Sequence, residues 1–242
     1  MSAVQQKVPP LVPGDFLSRE EFLRRWEAMP CLKRAELIEG VVYMPSPLLI
    51  EGAVFMASPV SVDHGDTDHH VSTWLGNYEA ATPGCRGSSN ATWLMGERSA
   101  PQPDDSMRIL PEYGGQSRRE GEYLAGGPEF LAEVCLSSTA YDLHQKLGVY
   151  ERAGVKEYLA ILLQEQEVRW HRLIDARLQL VPAPADSVYR STVFPGLWLD
   201  ATALVARDLA RVLAVLQEGI NSPEHKQFVE QLAARRRNQN PT

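Results

Sequence analysis

The sequence predicts a mixed α/β domain: a central sheet flanked by helices, with more helices appended at the C-terminus. Three observations carry this. The run FLAEVCL at 130–136 is almost continuously apolar around one acid, the pattern of a buried strand. A helical pattern over 141–153 follows it, and then two strand-like runs at 157–163 and 168–173. From residue 201 onward the spacing is helical, with Leu204, Leu209, Val212, Leu213 and Leu216 on one face.

The remaining elements follow in chain order. The first ~15 residues are Pro-rich and read as an irregular arm. Ser18, then Glu20 and Glu21, then Phe22, Leu23 and Trp26 give an N-cap, an acidic first turn and a short helix ended by Pro30. AELIEGVVYM at 35–44 reads as a hairpin turning at Glu39-Gly40. A helix over 68–79 carries Val71, Trp74, Leu75 and Tyr78 and stops at Thr82-Pro83-Gly84. Strands are expected at 91–95 and 105–110, and 111–127 reads as a long polar loop. Ser138 and Thr139 are N-cap candidates for the 141–153 helix, whose buried face is Leu143, Leu147 and Tyr150 and whose stop is Gly154. The 157–163 and 168–173 strands form a hairpin, with a third strand near 188–194 expected beside them. Ser222-Pro223-Glu224 opens the last helix. The C-terminal helices either cover the core or serve a dimer contact. This divides the chain into an arm and short helix (1–34), a main domain (35–198) and a helical extension (199–242).

With 242 residues, 44% of them hydrophobic and 23% charged, the chain can bury a sizeable core without disulfides. Cys31, Cys85 and Cys135 are sparse and odd in number, which suggests free thiols in a reducing compartment and no structural zinc. No run approaches the ~20 apolar residues that span a bilayer, and the start lacks signal-peptide character; a cytoplasmic location with no membrane partner is the expectation. The net charge of −7 weighs against a broad phosphate-binding face, though a local basic patch or a bound cation can offset it. Basic residues gather at Arg118-Arg119 and at Arg235-Arg236-Arg237; the second group reads as a solvated helix end.

Glu133 is the most informative residue. Burying an unpaired carboxylate is costly, so an acid among Phe130, Leu131, Val134 and Leu136 must point outward, pair with a base or hold a metal. Asp104-Asp105 opens another strand, and hard divalent cations favour a few carboxylate oxygens plus water. Lys146 stands on the next helix, four residues after Asp142 and on the same face. That pair is either a surface salt bridge of little worth or a lysine returning over the strand. The run DHGDTDHH at 63–70 reads mainly as a polar helix start, with His64 near the cleft. A zinc site there is the weaker reading, because His69 and His70 diverge on a helix while His64 and Asp68 do not.

The ordered series AELIEG, PQPDDSM, GGPEFLAEV and YDLHQKLGVYERAGVKEYL, over about 35–198, resembles the Uma family of putative restriction endonucleases in the PD-(D/E)xK superfamily. The resemblance implies a restriction-endonuclease-like fold. It places the family's acids on Asp104, Glu133 and Glu36, its lysine on Lys146 and its histidine on His64. In the wider superfamily the lysine stands two residues after the strand acid; here that position is Cys135, so the resemblance implies a lysine moved to the helix.

The implied activity is a metal-dependent DNA endonuclease. Asp104 and Glu133, with a carbonyl near Cys135, would hold Mg2+ or Mn2+. Lys146 would orient the attacking water, and Glu36 would hold a second metal or orient Lys146. DNA and a second copy of the chain are the expected partners. Arg118 and Arg119 are candidate phosphate contacts from their sequence, against the favoured reading of a plain solvated loop. The alternative is a non-catalytic nuclease-fold protein with a binding or regulatory role; a zinc hydrolase built on His64 is a third option.

Overall fold

The computed structural model describes residues 8–32, 34–44, 61–135 and 145–239. The expected caps Ser138 and Thr139, and Tyr141, Asp142 and Leu143 of the following helix, lie outside the described residues.

Helix α1 (Arg19–Glu27) begins as its sequence predicts: the Ser18 hydroxyl accepts the Glu21 N–H at 3.2 Å. Strands β1 (Glu36–Ile38) and β2 (Val41–Tyr43) form the expected hairpin. Its two turn residues, Glu39 and Gly40, have φ of 53° and 85°, as a tight hairpin turn requires. A side chain at Gly40 would meet the Arg98 guanidinium at 2.9 Å.

Helix α2 (Val62–Ala81) starts earlier than the apolar spacing indicates. Ser61 caps it, accepting the His64 N–H at 3.2 Å, and its first turns are polar and leave no hydrophobic period. Strand β3 (Cys85–Ser89), sequence CRGSS, carries no strand propensity of its own and exists through its ladder with a later strand. Strand β4 (Trp93–Leu94) is short, and β5 (Asp105–Ile109) matches its expectation.

The segment 111–127 is not a long loop. It holds a 3-10 turn at Pro111–Tyr113 and a hairpin of β6 (Arg118–Glu120) and β7 (Tyr123–Ala125), which joins β4 in a three-stranded sheet. The charged surface of that hairpin hid its alternation. The buried Glu129 carboxylate anchors the segment by accepting the N–H groups of Ile109 and Gln116.

Strands β8 (Phe130–Cys135), β9 (Glu157–Leu162), β10 (Glu167–Ile174) and β11 (Arg177–Leu180) follow, with α3 (Leu147–Ala153) between β8 and β9. Gly154 ends α3 in the left-handed conformation, φ 75°. The third strand beside β9 and β10 is β11, and the 188–194 segment goes elsewhere: β12 (Val188–Arg190) pairs with β13 (Trp198–Asp200). The β10–β11 turn uses Asp175 and Ala176 at φ of 49° and 60°, so the glycine that usually announces such a turn is missing. Helices α4 (Ala201–Val205), α5 (Leu209–Ile220) and α6 (Pro223–Gln239) complete the chain.

The central sheet has the order β11-β10-β9-β8-β5-β3, with β8 and β9 parallel and the other neighbours antiparallel. Alternation along β8 divides the interior. Phe130, Ala132 and Val134 join Trp74, Tyr78 and Trp170 in the larger core, while Leu131 and Cys135 join Val149, Tyr150 and Tyr158 on the opposite face. Glu133, between Ala132 and Val134, therefore belongs to the α3 face. The C-terminal helices cover the larger core with Val212, Leu216, Phe228 and Leu232. Gly219 lets α5 meet Gly196, whose carbonyl would lie 2.2 Å from a Cβ there.

Candidate active site

On the α3 face of the sheet, three carboxylates and one ammonium are gathered. Strand β5 pairs with β8 so that Asp105 stands opposite Ala132, which sets Asp104 beside Glu133. Glu36 enters from β1, and its Oε1 accepts the Gln102 N–H at 2.7 Å. Lys146, on the turn leading into α3, places Nζ 3.0 Å from Glu36 Oε1 and 3.0 Å from Glu133 Oε1. The lysine is almost wholly buried, as are Glu133 and Asp104. The fold thus brings to one place the four residues on which the family resemblance sets its acids and its lysine.

Three further groups complete the cluster. The Tyr150 hydroxyl donates to Glu133 Oε1 at 2.6 Å, sharing that oxygen with Lys146. Burial, and then Glu133, push its pKa well above the ordinary tyrosine value, so it remains a donor. Arg34 donates through NH2 to Asp104 Oδ1 at 2.9 Å, while Asp104 Oδ2 accepts the Val134 N–H at 2.9 Å. Burial works against the Arg34 charge, but Asp104, Glu36 and Glu133 outweigh it and raise its pKa. His64, in the first turn of α2, lies with Nε2 3.7 Å from Asp104 Oδ2.

Tyr150 and Arg34 were missed by sequence reasoning, which took Tyr150 for a core aromatic. Both carried a signal. Tyr150 is four residues after Lys146 and so on its helix face. Arg34 is two residues before Glu36, the same side of an extended chain. Arg118 and Arg119 stand on β6, mostly exposed, paired with Glu120 and Glu122, and no described contact links them to the cluster. Arg236 donates to the Tyr113 hydroxyl on the other side of the molecule.

The opposite side of β5 holds a second acidic pair. Asp105 Oδ1 accepts from Ser72 and Ser89 at 2.8 and 2.7 Å. Asp68 on α2 comes within hydrogen-bonding reach of Asp105. Each keeps a buried oxygen without a donor, Asp68 Oδ1 and Asp105 Oδ2. Burial chiefly, against the two serine donors and with Asp68 adding its charge, pushes Asp105 up to about 7. The pair is best described as sharing a proton.

The donor set suits a hard divalent cation: carboxylate oxygens, few and hydrogen-bonded in place. As arranged, those oxygens are engaged by Arg34, Lys146 and Tyr150. Among the described residues no group of three or more His, Cys, Asp or Glu converges as a ready-made cation site, at Asp104 or at the 63–70 histidines. A cation at Asp104 would compete with Arg34 for Oδ1.

Comparison with known proteins places these features. A family model described as Uma2, putative restriction endonuclease, matches residues 48–202. Among solved structures, a putative nuclease belonging to DUF820 from Anabaena variabilis is similar, with a TM-score of 0.55 at 17% identity. The match covers 78% of this chain and 99% of that one. At that identity the likeness establishes the fold alone, a restriction-endonuclease-like mixed α/β fold. No curated protein matches. Among the described residues no helix is long and apolar enough to cross a membrane.

Proposed function

This chain belongs to the Uma2 family of putative restriction endonucleases, and from that premise we propose that it is a divalent-metal-dependent endonuclease hydrolysing DNA phosphodiesters. The observation that supports this most is the Lys146 amine held 3.0 Å from both Glu36 and Glu133, beside Asp104. An ion pair built only for stability needs one acid for one base; this one surrounds a buried amine with more carboxylate than it neutralises.

In this reading Asp104 and Glu133 hold Mg2+ or Mn2+. A bound cation of this kind supplies Lewis-acid stabilisation of charge on a scissile phosphate. The protein's own groups do the rest. Lys146 donates to the attacking water and offsets negative charge as the transition state forms. Glu36, fixed by the Gln102 N–H, holds the Lys146 amine on the β1 side. Tyr150 and Lys146 together fix the rotamer of Glu133 by occupying Oε1. His64 stands where it can meet a substrate phosphate. By analogy with the superfamily, the product carries a 5′-phosphate. A cytoplasmic location and homodimerisation belong to the same proposal; sedimentation of the purified chain tests the second.

Two observations favour a second reading, a non-catalytic protein that keeps the fold for binding. The overall charge is −7, and the candidate ligand Asp104 already has a cationic partner in Arg34. Calorimetric titration with Mn2+ followed by cleavage of supercoiled plasmid separates the two. The nuclease reading expects Mn2+ uptake and nicking by the wild type, and neither by Asp104→Ala. Cleavage that persists in Asp104→Ala or Glu133→Ala refutes the site assignment. Mn2+ uptake without any cleavage favours the second reading.

A further inference from the structure

Arg34 occupies the position a cation would need. Asp104 Oδ2 is committed to the backbone, accepting the Val134 N–H at 2.9 Å. Oδ1 meets the Arg34 guanidinium at 2.9 Å, and the same NH2 reaches the Gln102 carbonyl at 3.4 Å. The Asp104 side chain is 4% exposed and that of Arg34 is 35% exposed, so the arginine reaches the acid from the solvent side. It is the outermost charge of the cluster and the one with room to move.

A charge count shows what that position implies. Glu36, Asp104 and Glu133 as carboxylates, with Lys146 as ammonium, leave two negative charges. Arg34 reduces this to one. A divalent cation alone cancels it. A divalent cation and Arg34 together leave one positive charge in a poorly solvated place, which is unfavourable unless an anion enters. A phosphodiester supplies one such anion, and the planar guanidinium matches two phosphate oxygens in a way that an ammonium does not.

Building on the nuclease reading, we propose that Arg34 is a two-position phosphate-binding residue. It is the counter-ion of Asp104 when the cation is absent, and the partner of a DNA phosphate once the cation displaces it. Loading and substrate capture are thereby coupled. The cation must compete with the arginine, and the released arginine adds one positive contact for DNA.

The test uses the full chain as wild type, Arg34→Gln, Arg34→Lys and Asp104→Asn. Calorimetry with Mn2+ alone reads the first half. Arg34→Gln is expected to bind Mn2+ about tenfold more tightly than wild type, the effect of losing one competing ion pair of about 1.4 kcal/mol. Arg34→Lys, which keeps the charge, is expected near wild type and covers the case in which the glutamine variant does not fold. Fluorescence anisotropy with a labelled, hydrolysis-resistant phosphorothioate duplex in Mn2+ reads the second half. Arg34→Gln is expected to lower the slope of log affinity against log salt by about one.

Unchanged or weaker Mn2+ binding in Arg34→Gln, with binding lost in Asp104→Asn, overturns the proposal and leaves the nuclease reading standing. Tighter Mn2+ binding with an unchanged salt slope overturns the phosphate role. Absence of Mn2+ binding in every variant overturns the nuclease reading, and this proposal with it.

Discussion

Glu133 and Glu157 are both buried acids on neighbouring parallel strands, and they face opposite sides of one sheet. Glu157 lies under the 191–194 segment. Its Oε2 accepts from Ser191 at 2.5 Å, and its Oε1 from the Thr192 N–H and hydroxyl at 3.0 and 2.9 Å and from Arg172 at 3.2 Å. One charge meets one charge, and neutral donors complete the set; the result pins a connection to the sheet. Glu133 also has a base and a hydroxyl, Lys146 and Tyr150, but Glu36 shares the same base and Asp104 stands beside Glu133 on the neighbouring strand. A buried carboxylate is therefore no mark of a site by itself. Excess negative charge around a shared amine is, because it is stable only when a further cation or a movable arginine is near.

Four measurements would break or sharpen that contrast. The largest expected effect is on cleavage: Asp104→Ala and Glu133→Ala should each reduce Mn2+-dependent plasmid nicking by roughly a thousandfold or more, whereas Glu157→Gln should retain it. Equal losses at all three positions would erase the distinction. Next is stability. Glu157→Ala should lower the unfolding free energy by about 3 kcal/mol in urea melts, since it strands the donors it served. Glu133→Gln should cost clearly less, because it also relieves repulsion from Glu36 and Asp104; an equal cost would argue that the two acids are alike.

The third is a pH effect. The folded-state pKa of Asp105, about 7 against an ordinary 3.8, means that the native state holds a proton the unfolded chain releases. Stability from this group is complete below about pH 4 and declines as pH rises toward 7. Asp105→Asn should flatten that decline, seen as urea midpoints that no longer fall across the window. The smallest is Tyr150→Phe. Loss of one donor to Glu133 should cost about 1 kcal/mol of stability, with a several-fold loss in kcat that exceeds any change in KM. A change confined to stability would make Tyr150 a packing residue only.

The candidate site was more legible than parts of the scaffold. Glu133 stood out because an acid inside FLAEVCL contradicts its surroundings, and the family resemblance supplied Asp104, Glu36 and Lys146. Strand β3 and the β6–β7 hairpin were not legible, since CRGSS and RREGEY lack apolar alternation and become strands through their partners. The β10–β11 turn was hidden because Asp175 and Ala176 take positive φ without glycine. Arg34 was overlooked because its place two residues before Glu36 puts it near the cluster but does not say which acid it meets; Asp104 is 70 residues away.

The sequence by itself determined the elements whose cause is local: the Ser18 cap, the Glu39-Gly40 turn, the buried strand β8 and the Gly154 stop. Each rests on backbone preference or on apolar spacing within a few residues. Tertiary structure alone decided which charges meet. It set Glu133 toward α3 and Glu157 away from it, laid Lys146 between Glu36 and Glu133, and put Arg34 on Asp104. Electrostatic pairing depends on distance in space, and strand order and register, not chain proximity, fix that distance.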